Sequence, residues 1–164
     1  NVVHNAESNM GNAVGCSPFL EIFDKGINIG IGTDGYTSDM FESMKVANLI
    51  HKHEKKNPAV AWVEVPIALF ENNRKIAEKY FKGDIGIIKA GALADVIVVD
   101  YDPLTPINES NINGHILFGM MGRSVVTTII NGKVIMKERK LLTVEEKRIF
   151  EYSRKVAQKL WNRM

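Results

Sequence analysis

The sequence predicts an α/β chain on three observations. Short β-rich runs at 2–4 and 27–31 alternate with helical stretches, the order that builds a parallel sheet. Apolar residues within 39–56 (Met40, Phe41, Met44, Ala47 and Ile50) recur at helical spacing. Beyond Gly83 the pattern changes to short β-rich runs separated by turns, closed by one long helical stretch. That change sets the expected division, residues 1–82 as strand–helix units and 83–164 as an antiparallel β unit with a closing helix.

Each element has a local reason. Val2 to His4 reads as a short strand, and residues 5–15 as a polar, Gly-spaced loop. Ser17-Pro18 starts a helix, with Ser as N-cap and Pro at the first helical position, and Gly26 stops it. The Ile-rich run 27–31 is a buried strand that ends in Gly32-Thr33-Asp34-Gly35. Ser38 or Asp39 caps the next helix, and 66–80 is helical by the spacing of Ile76, Ala77 and Tyr80. The runs 85–88, 94–100 and 125–130 are β-rich, and Asn131-Gly132 supplies the two positive-φ positions of a tight hairpin. Thr143 and Glu146 have capping-box spacing ahead of a helix whose apolar stripe is Ile149, Phe150, Val156, Ala157, Leu160 and Trp161.

Composition narrows the function classes. With 164 residues, 45% apolar and 24% charged, the chain has an ordinary globular balance, which excludes a disordered tract. A net charge of +2 gives no nucleic-acid footprint. Cys16 is the only cysteine, so neither a disulfide framework nor a thiolate zinc site is available. No apolar run approaches the ~20 residues of a membrane span, and no signal-peptide pattern opens the sequence, so the expected partners exclude membrane and the expected compartment is the cytoplasm. The chain opens on Asn1 and enters directly into a strand, as the tail of a longer protein would. Between Lys137 and Met164 nine Lys/Arg stand against four Asp/Glu, read as a solvated helix face.

Two readings compete at Gly30-Ile31-Gly32-Thr33-Asp34-Gly35. The spacing matches G-x-G-x-x-G after a strand, which suggests a dinucleotide site lined by Gly30, Gly32 and Gly35. Against it, Asp34 puts a carboxylate beside the phosphates, and the next helix starts several residues too late to aim its N-terminus there. The other reading gives the chemistry to Asp34, a hard oxygen ligand just past the C-terminal end of a parallel strand.

Val3-His4-Asn5-Ala6-Glu7-Ser8-Asn9-Met10 followed by Gly32-Thr33-Asp34-Gly35 resembles the deaminase and chlorohydrolase branch of the amidohydrolase superfamily. Ala6 stands where that pattern has proline. The run from Gly86 through Gly91-Ala92-Leu93-Ala94-Asp95 to Asp100 is similar to the family's return into its second β domain, and 126–133 to its closing hairpin. Residues 111–119, with Gly114-His115 and Phe118-Gly119, are similar to one aminohydrolase subgroup.

The resemblance implies the last units of a metal-dependent (β/α)₈ TIM barrel, then the C-terminal part of a small β domain with its closing helix. It implies hydrolysis at an amine- or halide-bearing carbon of a small heterocyclic substrate, in a homo-oligomer, using a divalent metal: zinc first, iron as the alternative. Asp34 is carried over as metal ligand and proton carrier, and His4 and Asn9 as substrate-binding residues, with His4 alternatively a histidine hydrogen-bonded under the barrel rim and Asn9 alternatively ordering the loop. Ser8 orders the loop. Only 33 residues precede Asp34, whereas a barrel takes ~250, so the other ligands lie upstream. His51-x-His53 cannot replace them, because i and i+2 on a helix diverge, and both are read as a solvated face. His115 is read as a structural or interface residue of the second domain, Cys16 as a small buried hydrophobe. The other reading from a different class is a non-catalytic interaction fragment.

Overall fold

The computed structural model describes all 164 residues, in two compact units: 1–93 with 100–124, and 94–99 with 125–164. Segment 100–124, which follows the expected change at Gly83, packs with the first unit rather than the second.

The first unit is built around a parallel pair, β1 (Val2–His4) and β2 (Ile29–Ile31), with Val2 opposite Ile29, Val3 opposite Gly30 and His4 opposite Ile31. Between them run α1 (Ala6–Gly11) and α2 (Phe19–Asp24). Helix α1 occupies part of the stretch the sequence assigns to a loop; six residues are too few to carry a periodic signal. The start of α2 differs from the expected cap. Pro18 is the N-cap, and the Ser17 hydroxyl serves His4 instead of the helix. Gly26, at φ +69°, ends that helix as expected.

Helix α3 (Met40–Lys55) begins at Asp39, whose Oδ1 accepts from the amides of Phe41 and Glu42. It ends at Lys56 in the left-handed region, with Lys52, His53 and Lys55 in its last turn complementing the exposed carbonyls. Its buried face is Ser43, Met44, Ala47, Asn48 and His51. The expected apolar residues point to this same side through Met44 and Ala47, and three polar residues complete the buried face because each finds a partner inside the unit. Ser43 donates to Glu7, Asn48 donates to the Ala61 carbonyl at 2.7 Å, and His51 meets His4. With Phe19, Leu20, Ile29, Ile31, Val65, Ala68 and Leu117, Met44 and Ala47 form the core.

The next helical stretch is α4 (Glu64–Ile67), a π-helical turn at Ala68–Asn72 and α5 (Asn73–Ala77). The π turn brings two successive asparagines onto one edge of β2. Asn72 Nδ2 donates to the Ile29 carbonyl at 2.9 Å. Asn73 donates to the Ile31 carbonyl at 2.8 Å and accepts the Ile31 amide at 3.0 Å, the pair of bonds a neighbouring strand makes. Asparagine side chains therefore occupy this edge at Ile29 and Ile31. Gly30 is what lets them approach, since a Cβ there would overlap Asn73 Oδ1. Gly30→Ala is expected to break the Asn73 pair and cost about 1–3 kcal/mol. Urea denaturation reads the loss, and faster exchange of the Ile31 amide locates it.

Residues 85–88 carry no strand. Ile88 is almost fully exposed, and the positive φ of Gly83, Gly86 and Gly91 keeps this stretch in successive turns. Helix α6 (Ile112–Gly119) buries Leu117 in the first unit. The sequence marks its residues only as a motif, because two glycines interrupt the helical signal.

The second unit is an antiparallel sheet in the order β3 (Val96–Val99), β4 (Val125–Ile130), β5 (Lys133–Lys137), β6 (Lys140–Leu141). Asn131 (φ 48°) and Gly132 (φ 74°) make the expected turn between β4 and β5. Asp95 fastens it by accepting the Asn131 amide at 2.6 Å. Helix α7 (Glu146–Trp161) follows without the expected capping box. It starts after Glu145, which leaves Thr143 outside the cap, and Glu146 accepts from the Leu141 amide instead. Its apolar residues Ile149, Phe150, Val156, Leu160 and Trp161 are exposed.

Candidate functional site

The candidate site lies where the two parallel strands end. β2 runs into Gly32, whose amide still bonds the His4 carbonyl at 3.0 Å, and then into a turn closed by the Tyr36 amide on the Thr33 carbonyl. Asp34 sits in that turn at φ 53°. A left-handed backbone is unusual for a residue with a Cβ, and Asp is among the types that tolerate it. The conformation holds the carboxylate exposed beyond the strand end, and Ser8 Oγ donates to its Oδ2 at 2.7 Å.

Ser8 is buried, 5% exposed, on α1. The next residue, Asn9, is half-buried, with its amide side chain unbonded. Glu7 accepts from Ser43 Oγ at 3.4 Å and ties α1 to α3. Burial first, then the charges of Glu42 and Asp39, raises the Glu7 carboxyl above its ordinary range, against the Ser43 bond. The sequence motif contains Glu7 but gives it no role of its own. The signal available was its place between His4 and Ser8.

His4 is elsewhere. It is 3% exposed, facing α2 and α3, with Nδ1 at 3.0 Å from Ser17 Oγ and Nε2 at 3.0 Å from His51 Nε2. His51 is 1% exposed, its Nδ1 lies 3.4 Å from Cys16 Sγ, and its ring stacks on Phe19. Both ring nitrogens of His4 are thus engaged inside the unit, which leaves neither for a substrate. The solvated-face reading holds for His53, which is exposed, and fails for His51. Burial, and next the His51 charge, lowers the His4 pKa to about 4. Burial also lowers His51 and raises the Cys16 thiol, which keeps that sulfur protonated and unreactive at neutral pH. His115 lies in the first unit, not the second, with Nδ1 2.7 Å from the Tyr101 hydroxyl and Nε2 3.5 Å from Thr105.

The dinucleotide reading does not fit this geometry. Gly30 packs against Asn73 and Ile76, and no helix starts at Gly35. The N-terminus of α3 is already filled by the Asp39 carboxylate, whose Oδ2 also accepts the Gly122 amide at 2.7 Å.

The sequence profile described as "Amidohydrolase family" matches residues 1–135. The chain belongs to the amidohydrolase family. Two curated relatives are a 5'-deoxyadenosine deaminase of Methanosarcina barkeri and a 5-methylthioadenosine/S-adenosylhomocysteine deaminase of Thermococcus onnurineus. The first is 36% identical over 170 residues, covering 100% of this chain and 38% of the relative. The second is 39% identical over 148 residues, covering 85% and 33%. The crystal structure of an adenosine deaminase from Xanthomonas campestris with bound zinc superposes with a TM-score of 0.82 at 23% identity, over 98% of this chain and 37% of that one. This amidohydrolase chain therefore has that α/β fold and spans about a third of the length of the relatives it matches.

Its residues meet a divalent metal only in part. Asp34 offers one hard carboxylate oxygen, but no cluster of three or more His, Cys, Asp or Glu stands ready to hold an ion. No helix is long and apolar enough to cross a membrane.

Proposed function

We propose that this amidohydrolase chain is the C-terminal part of a hydrolytic aminohydrolase that removes the amine from the adenine ring of a small nucleoside. The parallel pair is read as the last two strands of a (β/α)₈ barrel, and the antiparallel sheet as part of the small β domain. The observation that carries the reading is Asp34, an open carboxylate at the C-terminal end of a parallel strand, where barrel enzymes hold their chemistry. Deamination is favoured over dechlorination because the two curated relatives described above, at 36% and 39% identity, are a 5'-deoxyadenosine deaminase and a 5-methylthioadenosine/S-adenosylhomocysteine deaminase.

Asp34 contributes one ligand to a divalent metal, zinc first, whose remaining ligands come from upstream residues. When bound, such an ion acidifies a water enough to make it a nucleophile near neutral pH. Asp34 Oδ1, the oxygen that Ser8 leaves free, would accept a proton from the attacking water and return it to the departing nitrogen. The carbon–nitrogen bond breaks, a carbon–oxygen bond forms, and ammonia leaves. Asn9, half-buried beside Ser8 with a free amide, is the residue of α1 assigned to the substrate.

The longer protein carrying residues 1–164 is expected to release ammonia from 5'-deoxyadenosine and no chloride from atrazine. Chloride release without ammonia release overturns the assignment.

A further inference from the structure

We propose that Ser8 is the positioning residue of Asp34 and that Asn12 aims it, so that Oδ2 is held by a neutral donor and Oδ1 is the working oxygen. The inference rests on the reading of Asp34 given above and adds to it a role for α1. A serine hydroxyl has one proton and two lone pairs. Asn12 Nδ2 donates to Ser8 Oγ at 3.3 Å and to the Ser8 carbonyl at 2.9 Å. The carbonyl can only accept, which fixes the Asn12 nitrogen toward Ser8. With one lone pair engaged by Asn12, the single Ser8 proton goes to Asp34 Oδ2 at 2.7 Å.

Two further contacts keep this relay in register. Gly11, one turn along α1 from Ser8, is where the Tyr36 hydroxyl lies, and any Cβ on Gly11 would overlap it. The Asp34–Tyr36 turn is therefore fastened to α1 at two points, one polar and one steric. Glu7 pins the start of the same helix to Ser43 on α3. The Asp34 backbone, left-handed at φ 53°, is a conformation that its surroundings must hold. A short helix braced on α3 and touching the turn twice does that.

The experiment uses the longer protein, 5'-deoxyadenosine turnover, and zinc affinity measured by chelator competition, which does not depend on activity. Ser8→Ala is expected to lower kcat and zinc affinity each by roughly 10–100-fold, with KM little changed, as for other partners that orient a metal ligand. Ser8→Thr, which keeps the hydroxyl, is expected to recover most of both. A folded Ser8→Ala protein with parental kcat and zinc affinity overturns the proposal, and so does a folded Ser8→Thr protein as impaired as Ser8→Ala. Should Ser8→Ala not fold, Asn12→Ala decides: it removes only the aiming donor, and it must show the same losses in smaller degree. Unchanged kcat and affinity in that variant also overturn the proposal. Asp34→Asn is measured alongside. If it stays active, the reading of the site itself fails; if it is dead while Ser8→Ala is unimpaired, only the positioning role fails.

Discussion

Asp34→Asn in the longer amidohydrolase is expected to cut kcat by at least ~10²–10⁴-fold, the usual worth of a lost general base. The substitution keeps nearly the same volume and can still accept from Ser8 Oγ, so neither a cavity nor a stranded donor is created. What it removes is the negative charge and the ability to carry a proton. Metal content should fall with activity, because a neutral amide is a poor ligand for a hard divalent ion. Thermal stability should be close to the parent's. His53→Ala is the matched control. His53 is exposed in the last turn of α3 and should leave turnover near the parental value. Full activity in Asp34→Asn, or lost activity and metal in His53→Ala, assigns the chemistry to other residues.

Acid is expected to destabilise this protein through the histidine pair before it titrates most carboxylates. Ser17, His4, His51 and Cys16 form one hydrogen-bonded chain, and two neutral arrangements satisfy it, each running in a single direction. A first proton costs the burial of a charge, and protonating both rings puts two N–H groups face to face across 3.0 Å. Unfolded, His4 takes its proton near pH 6.5; folded, it resists until about 4. Between those values the unfolded state binds more protons, so stability falls as pH falls. The contribution is whole above pH 6.5 and gone by about pH 4, a loss of about 3 kcal/mol. His51, also lowered by burial, adds in the same direction. Glu21, Glu54 and Glu64 oppose the shift of His51, and Lys55, which is paired with Glu21, supports it. Urea midpoints at pH 7.5 and pH 5 should differ by about 2 kcal/mol in ΔG. The double variant His4→Gln/His51→Gln should flatten that slope; an unchanged slope places the titration elsewhere.

What could be read from the sequence follows the range of each signal. Strands β1 and β2, helix α3 and the Asn131-Gly132 hairpin are written in residues that act on their neighbours. An Ile-rich run flanked by glycine, a carboxylate cap at Asp39 and two positive-φ positions need no distant partner. The place of Asp34 just past the end of β2 is legible for the same reason. Tertiary structure decided the rest. Ser8 and Asp34 are 26 residues apart, Asn73 and Ile31 are 42, and His4 and His51 are 47. No periodicity relates such pairs, and each polar member read in isolation belongs on a solvated face or in a loop. His51 and Asn48 enter the buried side of α3 only because packing supplies a partner that repays their lost hydration. Segment 100–124 joins the first unit for a kindred reason: Leu117 finds its apolar surroundings there, and a pattern of short-range propensities cannot record which core a side chain will enter.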